Sequence, residues 1–340
     1  MKRLYKAGVV GTSGLVGNEL VQLLTRGDLP LQELRLFDSM DQAGEQIDYQ
    51  GESLQVKPVS ADYYRELDLI FFTAHPMVSR DLAEAAAQAG AIVIDASRSF
   101  RLQKDVPLVV AEINSGELRK SKEAGLIIAS PGPAAIGLSL ALRPLERELG
   151  LKRVLAVALY GSTSGGRLGF EEHQSQTVAI FNNQEFEVDQ FPRQTAFNIF
   201  PQVGEFVGES TQEELDIEQE VKKVLSLPKL KISASCAQVP VFAGISVFVC
   251  LETRKSCELS SFREIIGSQP GLKIMDEPGQ GIYPDILTSL KVDQVLVGRL
   301  KPDPLSTSGF QFWLNIDNLR KGSALNMLQI AQKLVEQELL

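Results

Sequence analysis

Hydrophobic and polar residues over the first 130 positions follow two alternating rhythms. Leu4–Val10 is a short apolar run that predicts a buried strand, and Leu15–Thr25 carries apolar residues at helical spacing. Leu34–Phe37 and Leu67–Thr73 repeat the strand pattern. The alanine-rich Val78–Ala89 reads as a helix ended by Gly90. Ala91–Asp95 and Leu126–Ala129 are two further strands. Strands interleaved with helices predict a doubly wound, Rossmann-like parallel sheet.

The rhythm changes near Pro131. An apolar helix is expected behind Ala135, and from Val154 the apolar runs lengthen. V-L-A-V-A-L-Y (154–160), I-S-A-S-C-A-Q-V-P-V-F (232–242), I-S-V-F-V-C-L-E-T (245–253) and F-Q-F-W-L-N-I (310–316) read as strands, with one clear helix, Gln212–Leu225, among them. Gly322–Leu340 reads as an amphipathic helix. The prediction is an α/β chain of two domains. Residues 1–131 together with 316–340 form the Rossmann-like domain. Residues 132–315 form an α+β domain on a large mixed or antiparallel sheet.

The chain has 340 residues, enough for two cores, and its 44% hydrophobic content is that of a soluble globular protein. A net charge of −9 argues against nucleic acid or an anionic membrane as partner. Cys236, Cys250 and Cys257 show no metal-like spacing, and their odd number suits free thiols in a reducing compartment. No run is long enough to span a membrane, and no signal-peptide core precedes the first glycine. These features predict a cytoplasmic protein with no metal site.

G-T-S-G-L-V-G (11–17) lies between the first strand and the first helix, where a pyrophosphate would meet a helix N-terminus. Gly11, Thr12, Ser13, Gly14, Val16 and Gly17 are therefore candidate cofactor contacts. Asp38 and Ser39 join them, because Asp38 ends the second strand where an acid can bind a ribose 2′-hydroxyl. Asp38 and Asp41 would repel a 2′-phosphate, so NAD is favoured over NADP if a dinucleotide binds at all. The bland alternatives are a tight packing turn for the loop and an exposed acidic turn for Asp38. A second stretch, A-S-P-G-P-A-A (129–135), stands where carbonyl-attacking enzymes place a nucleophile at a helix N-terminus, yet it holds none beyond Ser130.

Several blocks, in order, resemble those of the aspartate-semialdehyde dehydrogenase family. They are the glycine loop, V-I-D-A-S-R-S-F-R (93–101), V-P-L-V-V-A-E-I-N (106–114), Y-G-S-T-S-G-G (160–166), F-N-I-F-P (197–201), C-A-Q-V-P-V-F-A-G-I-S (236–246) and D-N-L-R-K-G-S-A-L-N (317–326). The resemblance spans essentially the whole chain. It implies a homodimer built on the second domain and an NADP-dependent reduction of aspartyl phosphate through a cysteine thioester, with a histidine as acid/base. The residues that would carry this chemistry differ here. The family's N-P-N-C loop is Ser130-Pro131-Gly132-Pro133, which puts proline at the nucleophile. Gln238 stands at the carboxylate-binding arginine, Ile245 at the histidine, Gly161 at a glutamine and Asp216 at a lysine. The family's S-x-R-S, which holds the 2′-phosphate, is Ser39-Met40-Asp41-Gln42, and its S-A-G-G turn is Thr73-Ala74-His75-Pro76. In this respect the chain resembles the Usg-type homologues.

Arg101, Ser164, Gly165, Glu214 and Lys321 remain and could outline an anion pocket, Arg101 through the family's phosphate contact. Cys236 reads as a buried structural thiol. His75 follows a strand at the ligand-binding end of the sheet, and His173 reads as part of a solvated helix face. No catalytic residue is assigned. The leading expectation is a non-catalytic homodimeric homologue that binds a small anion or nucleotide, or a protein, in or near amino-acid biosynthesis. The alternatives are an NAD-linked oxidoreductase with non-covalent chemistry and a regulatory partner subunit of a true dehydrogenase.

Overall fold

The first apolar run forms β1 (Tyr5–Val10), and the helical stretch behind the glycine loop forms α1 (Leu15–Leu24). These open the first of two units in a computed structural model that describes residues 3–122 and 127–340. Unit one comprises residues 1–132 and 323–340. It continues through β2 (Leu31–Asp38), β3 (Gln46–Tyr49), β4 (Glu52–Pro58), β5 (Leu69–Phe72), α2 (Pro76–Gln88), β6 (Ile92–Asp95), the short α3 (Ala111–Asn114) and β7 (Ile127–Ala129). Leu126, the first residue of the predicted seventh-strand segment, lies outside the described residues. The strands form one sheet in the order β3-β4-β2-β1-β5-β6-β7, parallel throughout except for the β3/β4 pair.

Burial explains the strand lengths. β5 and β6 are buried on both faces and read as continuous apolar runs. β2 reaches beyond its apolar core to include Glu33 and Arg35, which pair with each other at 2.6 Å. The β3/β4 hairpin turns on Gln50 and Gly51, both with positive φ (+51° and +86°), as a two-residue turn of the I′ kind requires. The C-terminal helix (Leu325–Glu336) returns to this unit, and its Met327, Leu328, Ile330, Ala331 and Leu334 join the core of the sheet and α1.

Unit two comprises residues 133–322. It opens with α4 (Pro133–Leu149), so the helix expected behind Ala135 starts two residues earlier, with proline in the first turn, where its missing N–H costs nothing. It continues through β8 (Leu151–Tyr160), α5 (Gly166–Phe181), the small β9/β10 hairpin (Phe206–Val207, Ser210–Thr211), α6 (Gln212–Leu225), β11 (Lys231–Gln238), β12 (Ile245–Thr253), α7 (Leu259–Gly267), β13 (Leu272–Ile274), β14 (Val295–Pro302) and β15 (Gly309–Ile316). The sheet runs β11-β8-β12-β15-β14-β13. The β11/β8 and β13/β14 pairs are parallel and the others antiparallel, so the sheet is mixed. The fold class is thus the predicted one: a Rossmann-like parallel sheet followed by an α+β unit on a large mixed sheet.

α5 escaped the hydrophobic pattern for a physical reason. Its buried stripe is Gly169, His173, Gln176 and Ala179, at helical spacing but with little apolar character. His173 was expected on a solvated face and is instead only 3% exposed. Its ring meets Phe242 edge-on at 4.7 Å, and its Nδ1 has no hydrogen-bond partner. The stripe's polar member Gln176 anchors the following loop, with Oε1 accepting from Thr195 N, Thr195 Oγ1 and Ala196 N.

Burial holds the His173 pKa below the ordinary imidazole value. The native state therefore resists a proton that the unfolded chain takes up near pH 6.5. Stability from this group is full above about pH 6.5 and is lost as the pH falls through the lowered native pKa. We expect His173→Phe to lose less stability than the wild type between about pH 7.5 and 5.5, by urea unfolding at each pH. Equal acid slopes for the two proteins would remove His173 from this account.

Candidate functional site

In unit one, the glycine loop leaves β1 and turns into α1 under tight packing. Gly17 approaches so closely that a Cβ there would lie 2.0 Å from Gly11 O. α1 begins at Gly14 with no side-chain cap and no acidic residue in its first turn. Thr12 is fully buried, and its Oγ1 has no hydrogen-bond partner. Uncapped helix N–H groups beside a glycine loop are suited to an anionic ligand. Val16 is half-buried against the unit's core, and Ser13 and Gly14 are partly exposed at the mouth.

Asp38, at the end of β2, reaches into this loop. Its Oδ2 accepts from both Ser13 N and Ser13 Oγ at 2.7 Å, and its Oδ1 accepts from Ser39 N at 2.8 Å. Ser39 and Asp41 lie exposed beyond it. On the other side of β1, after β5, His75 caps α2: its Nδ1 accepts from Met77 N at 3.3 Å, and Pro76 follows at the first helical position. The chain thus enters α2 through a cap-and-proline start.

Arg101 follows β6. Its Nη2 donates to Ala96 O at 2.6 Å, which folds the guanidinium back on its own loop in a half-buried position. Beneath it, Asp95 is enclosed at the strand end with Oδ1 accepting from Ser97 Oγ at 2.6 Å. Burial raises the Asp95 pKa, against the hydrogen bond from Ser97 and the charge of Arg101. Ser130, the one hydroxyl of the loop after β7, is fully buried, and its Oγ accepts from Asn326 Nδ2 at 2.8 Å. Asn326 also donates to Val109 O and accepts from Ala111 N. Ser130 is a structural hydroxyl held by this amide, with no access for a substrate.

In unit two the register assembles the second constellation. Gln238 pairs with Tyr160, Tyr160 with Ile245, and Ile245 with Ile316, so the four form one row across β11, β8, β12 and β15. All four are buried. Gly137, in the first turns of α4, rests on Ile316, where a Cβ would lie 2.3 Å from Cδ1. The same helix start sets the Pro133 ring against Gly322, where a Cβ would meet Pro133 Cβ at 2.4 Å. Position 133 is therefore brought to the end of the sheet that carries 238 and 245.

The row is closed by its own hydrogen bonds. Gln238 Nε2 donates to Tyr160 O at 2.9 Å, and its Oε1 accepts from Ser164 Oγ at 3.0 Å. Tyr160 Oη donates to Glu213 Oε1 at 2.6 Å. Burial and the adjacent Glu213 push the Tyr160 pKa well up, so it stays a donor. The 161–163 loop is zipped to 241–244 by Gly161 N, Ser162 N and Thr163 N donating to Gly244 O, Val241 O and Phe242 O. Asn318 Oδ1 adds an acceptor for Gly244 N.

The remaining candidates are occupied similarly. Glu214 closes a capping box on α6 with Thr211, and its Oε1 accepts from Cys236 N at 2.9 Å. Both its oxygens thus serve the backbone. Asp216 is buried, with Oδ1 accepting from Gln212 Nε2 at 2.7 Å. Lys321 is fully enclosed in the turn Arg320–Ala324 and engaged within the protein. Ser164 and Gly165 lie exposed at the start of α5. Burial raises the Cys236 pKa strongly, with Glu213 and Glu214 acting in the same direction, so the fold favours its protonated thiol over the thiolate. The positioning residues Tyr160 and Asn318 in unit two and Asn326 in unit one carry no sequence signal beyond membership of the quoted blocks, and Glu213 lies in none of them.

Comparison with known proteins is consistent with this architecture. Residues 6–121 match the model of a semialdehyde dehydrogenase NAD-binding domain, and residues 142–321 match that of a semialdehyde dehydrogenase dimerisation domain. An aspartate-semialdehyde dehydrogenase of Aquifex aeolicus is 34% identical over 99% of both chains. One from Bacillus subtilis is 34% identical over 98% of both. The chain belongs to the aspartate-semialdehyde dehydrogenase family. A solved structure of aspartate semialdehyde dehydrogenase II from Vibrio cholerae matches it with a TM-score of 0.94 at 29% identity, over 98% of this chain and 99% of that one. No described helix is long and apolar enough to cross a membrane.

The Asn326 clamp yields a direct expectation. Asn326→Ala leaves Ala111 N, Val109 O and Ser130 Oγ without their buried partner, at about 1–3 kcal/mol for an unsatisfied group. We expect a loss of about 3 kcal/mol in urea unfolding. A loss below about 0.5 kcal/mol would show that water replaces the amide at no cost.

Proposed function

We propose that this chain is a Usg-type member of the family that has given up covalent acyl transfer and acts by binding. The observation that carries the reading is the row Gln238–Tyr160–Ile245 beside Pro133. Acyl transfer through a thioester needs a thiolate, a proton carrier and a cation for the substrate's carboxylate. Pro133 has no nucleophile, Ile245 carries no proton, and Gln238 is neutral and held by Tyr160 O and Ser164 Oγ. Asp216 adds an anion where the family has a lysine. Neither Ser130, which is enclosed in unit one, nor Cys236, held as a neutral thiol in unit two, offers a substitute.

The same reading keeps the dimer. The family match over 142–321 is to a dimerisation domain. The face of the second sheet turned away from the row carries Leu155, Val157, Phe248 and Trp313, all less than fully buried. We assign that face to a second copy of the chain. The three free cysteines fit a reducing, cytoplasmic setting. The anion contacts proposed for this mode are Arg101 in unit one and the exposed Ser164–Gly165 turn in unit two.

The test is phosphate-dependent oxidation of aspartate semialdehyde with NAD or NADP. We expect no turnover above the protein-free blank for the wild type, and none for Pro133→Cys, since Gln238, Ile245 and Asp216 remain. Turnover by the wild type overturns the proposal. Turnover by the single variant shows that the three other positions do not limit the chemistry.

A further inference from the structure

We infer that the glycine loop of unit one is built for a dinucleotide whose adenosine ribose carries a free 2′-hydroxyl, and that Asp38 rejects a 2′-phosphate. The inference rests on the proposed binding role of this unit but not on the loss of acyl transfer. The site meets two demands of a pyrophosphate, a tight glycine turn and an uncapped helix start, and Asp38 grips the same loop through Ser13.

The choice between the two dinucleotides follows from hydrogen-bond capacity. A carboxylate offers about four acceptor positions. In Asp38, Ser13 N, Ser13 Oγ and Ser39 N fill three. One acceptor position is left at the loop's mouth, and a ribose hydroxyl is the donor that fits it. A 2′-phosphate brings acceptors and negative charge instead. The donors that could have held it, Ser13 N–H, Ser13 Oγ–H and Ser39 N–H, already point at the carboxylate.

No compensating cation lies at hand in the chain after β2. There is no lysine or arginine between Arg35 and Lys57, while Asp41 and Glu45 add negative charge. Arg35 is turned to Glu33 and to the carbonyls of Tyr63 and Arg65. Lys57 lies over the Tyr63 ring at 5.8 Å. A phosphate dianion at this mouth would face a fixed carboxylate to which the Ser13 and Ser39 donors are already committed.

The test is calorimetric titration of the full-length protein with NAD+ and NADP+ at one ionic strength. We expect NAD+ to bind at least about tenfold more tightly than NADP+. In Asp38→Ser the serine loops lose their carboxylate, and we expect the preference to shrink below about threefold or to reverse. Should that variant fail to fold, Asp41→Arg on the exposed turn gives the second reading: NADP+ binding strengthens while NAD+ binding holds. Equal or tighter NADP+ binding by the wild type overturns the inference, as does no heat with either dinucleotide. Neither result touches the turnover assay, which judges the loss of acyl transfer separately.

Discussion

The contact on which the second unit turns is between a helix backbone and a sheet. Gly137 lets α4 lie directly on Ile316, and Ile316 is in register with Ile245, Tyr160 and Gln238. Helix position and strand register therefore fix one another. Whatever residue occupies 133 is delivered to the same end of the same row. Under the proposed reading, that row presents a proline ring, an amide and an aliphatic chain where acyl transfer would need reactive groups. Architecture and chemistry can separate in this way, because packing depends on volume and register whereas catalysis depends on the identity of a few atoms.

The replacements are chemically coherent as packing. Ile245 shares the core face with Val247, Val249 and Leu251, where an imidazole would need a partner. Gln238 spans Tyr160 O and Ser164 Oγ, donating to the first and accepting from the second, and so bridges strand and loop without a charge. Pro133 suits the first turn of a helix for the reason that a cysteine there is unremarkable as structure: the N–H at that position has no intrahelical acceptor. Under the proposed reading, each of these positions holds a group that is satisfied by the fold rather than one that must stay reactive.

Much of this was legible in the sequence where the cause is local. The glycine loop, β1, β5, β6 and α6 announce themselves through short-range pattern, and α6 has the predicted bounds Gln212–Leu225. The β3/β4 hairpin was missed because both strands are mostly exposed, with Val56 their one buried residue, although Gln50-Gly51 is a turn signal. The buried face of α5 was missed because glycine, histidine, glutamine and alanine make its stripe. At the site, identities at 133, 238 and 245 could be read by resemblance, but their alignment in one row depends on register among distant strands. The grip of Asp38 on Ser13 spans 25 positions and that of Asn326 on Ser130 spans 196. No local window contains either.

The return of the C-terminal helix to the first sheet also sets an order of events during synthesis. Residues 323–340 complete a core begun by β1 and α1, and Asn326 must arrive before the loop at Ser130 has its partner. A ribosome releases these residues after the whole of unit two has emerged. Unit two, continuous from 133 to 322, can close while translation proceeds; unit one waits, with an open sheet and unpaired amides, until the last helix is free. For that interval the nascent chain presents the apolar face that the helix later covers, a surface of the kind that chaperones recognise and that drives aggregation.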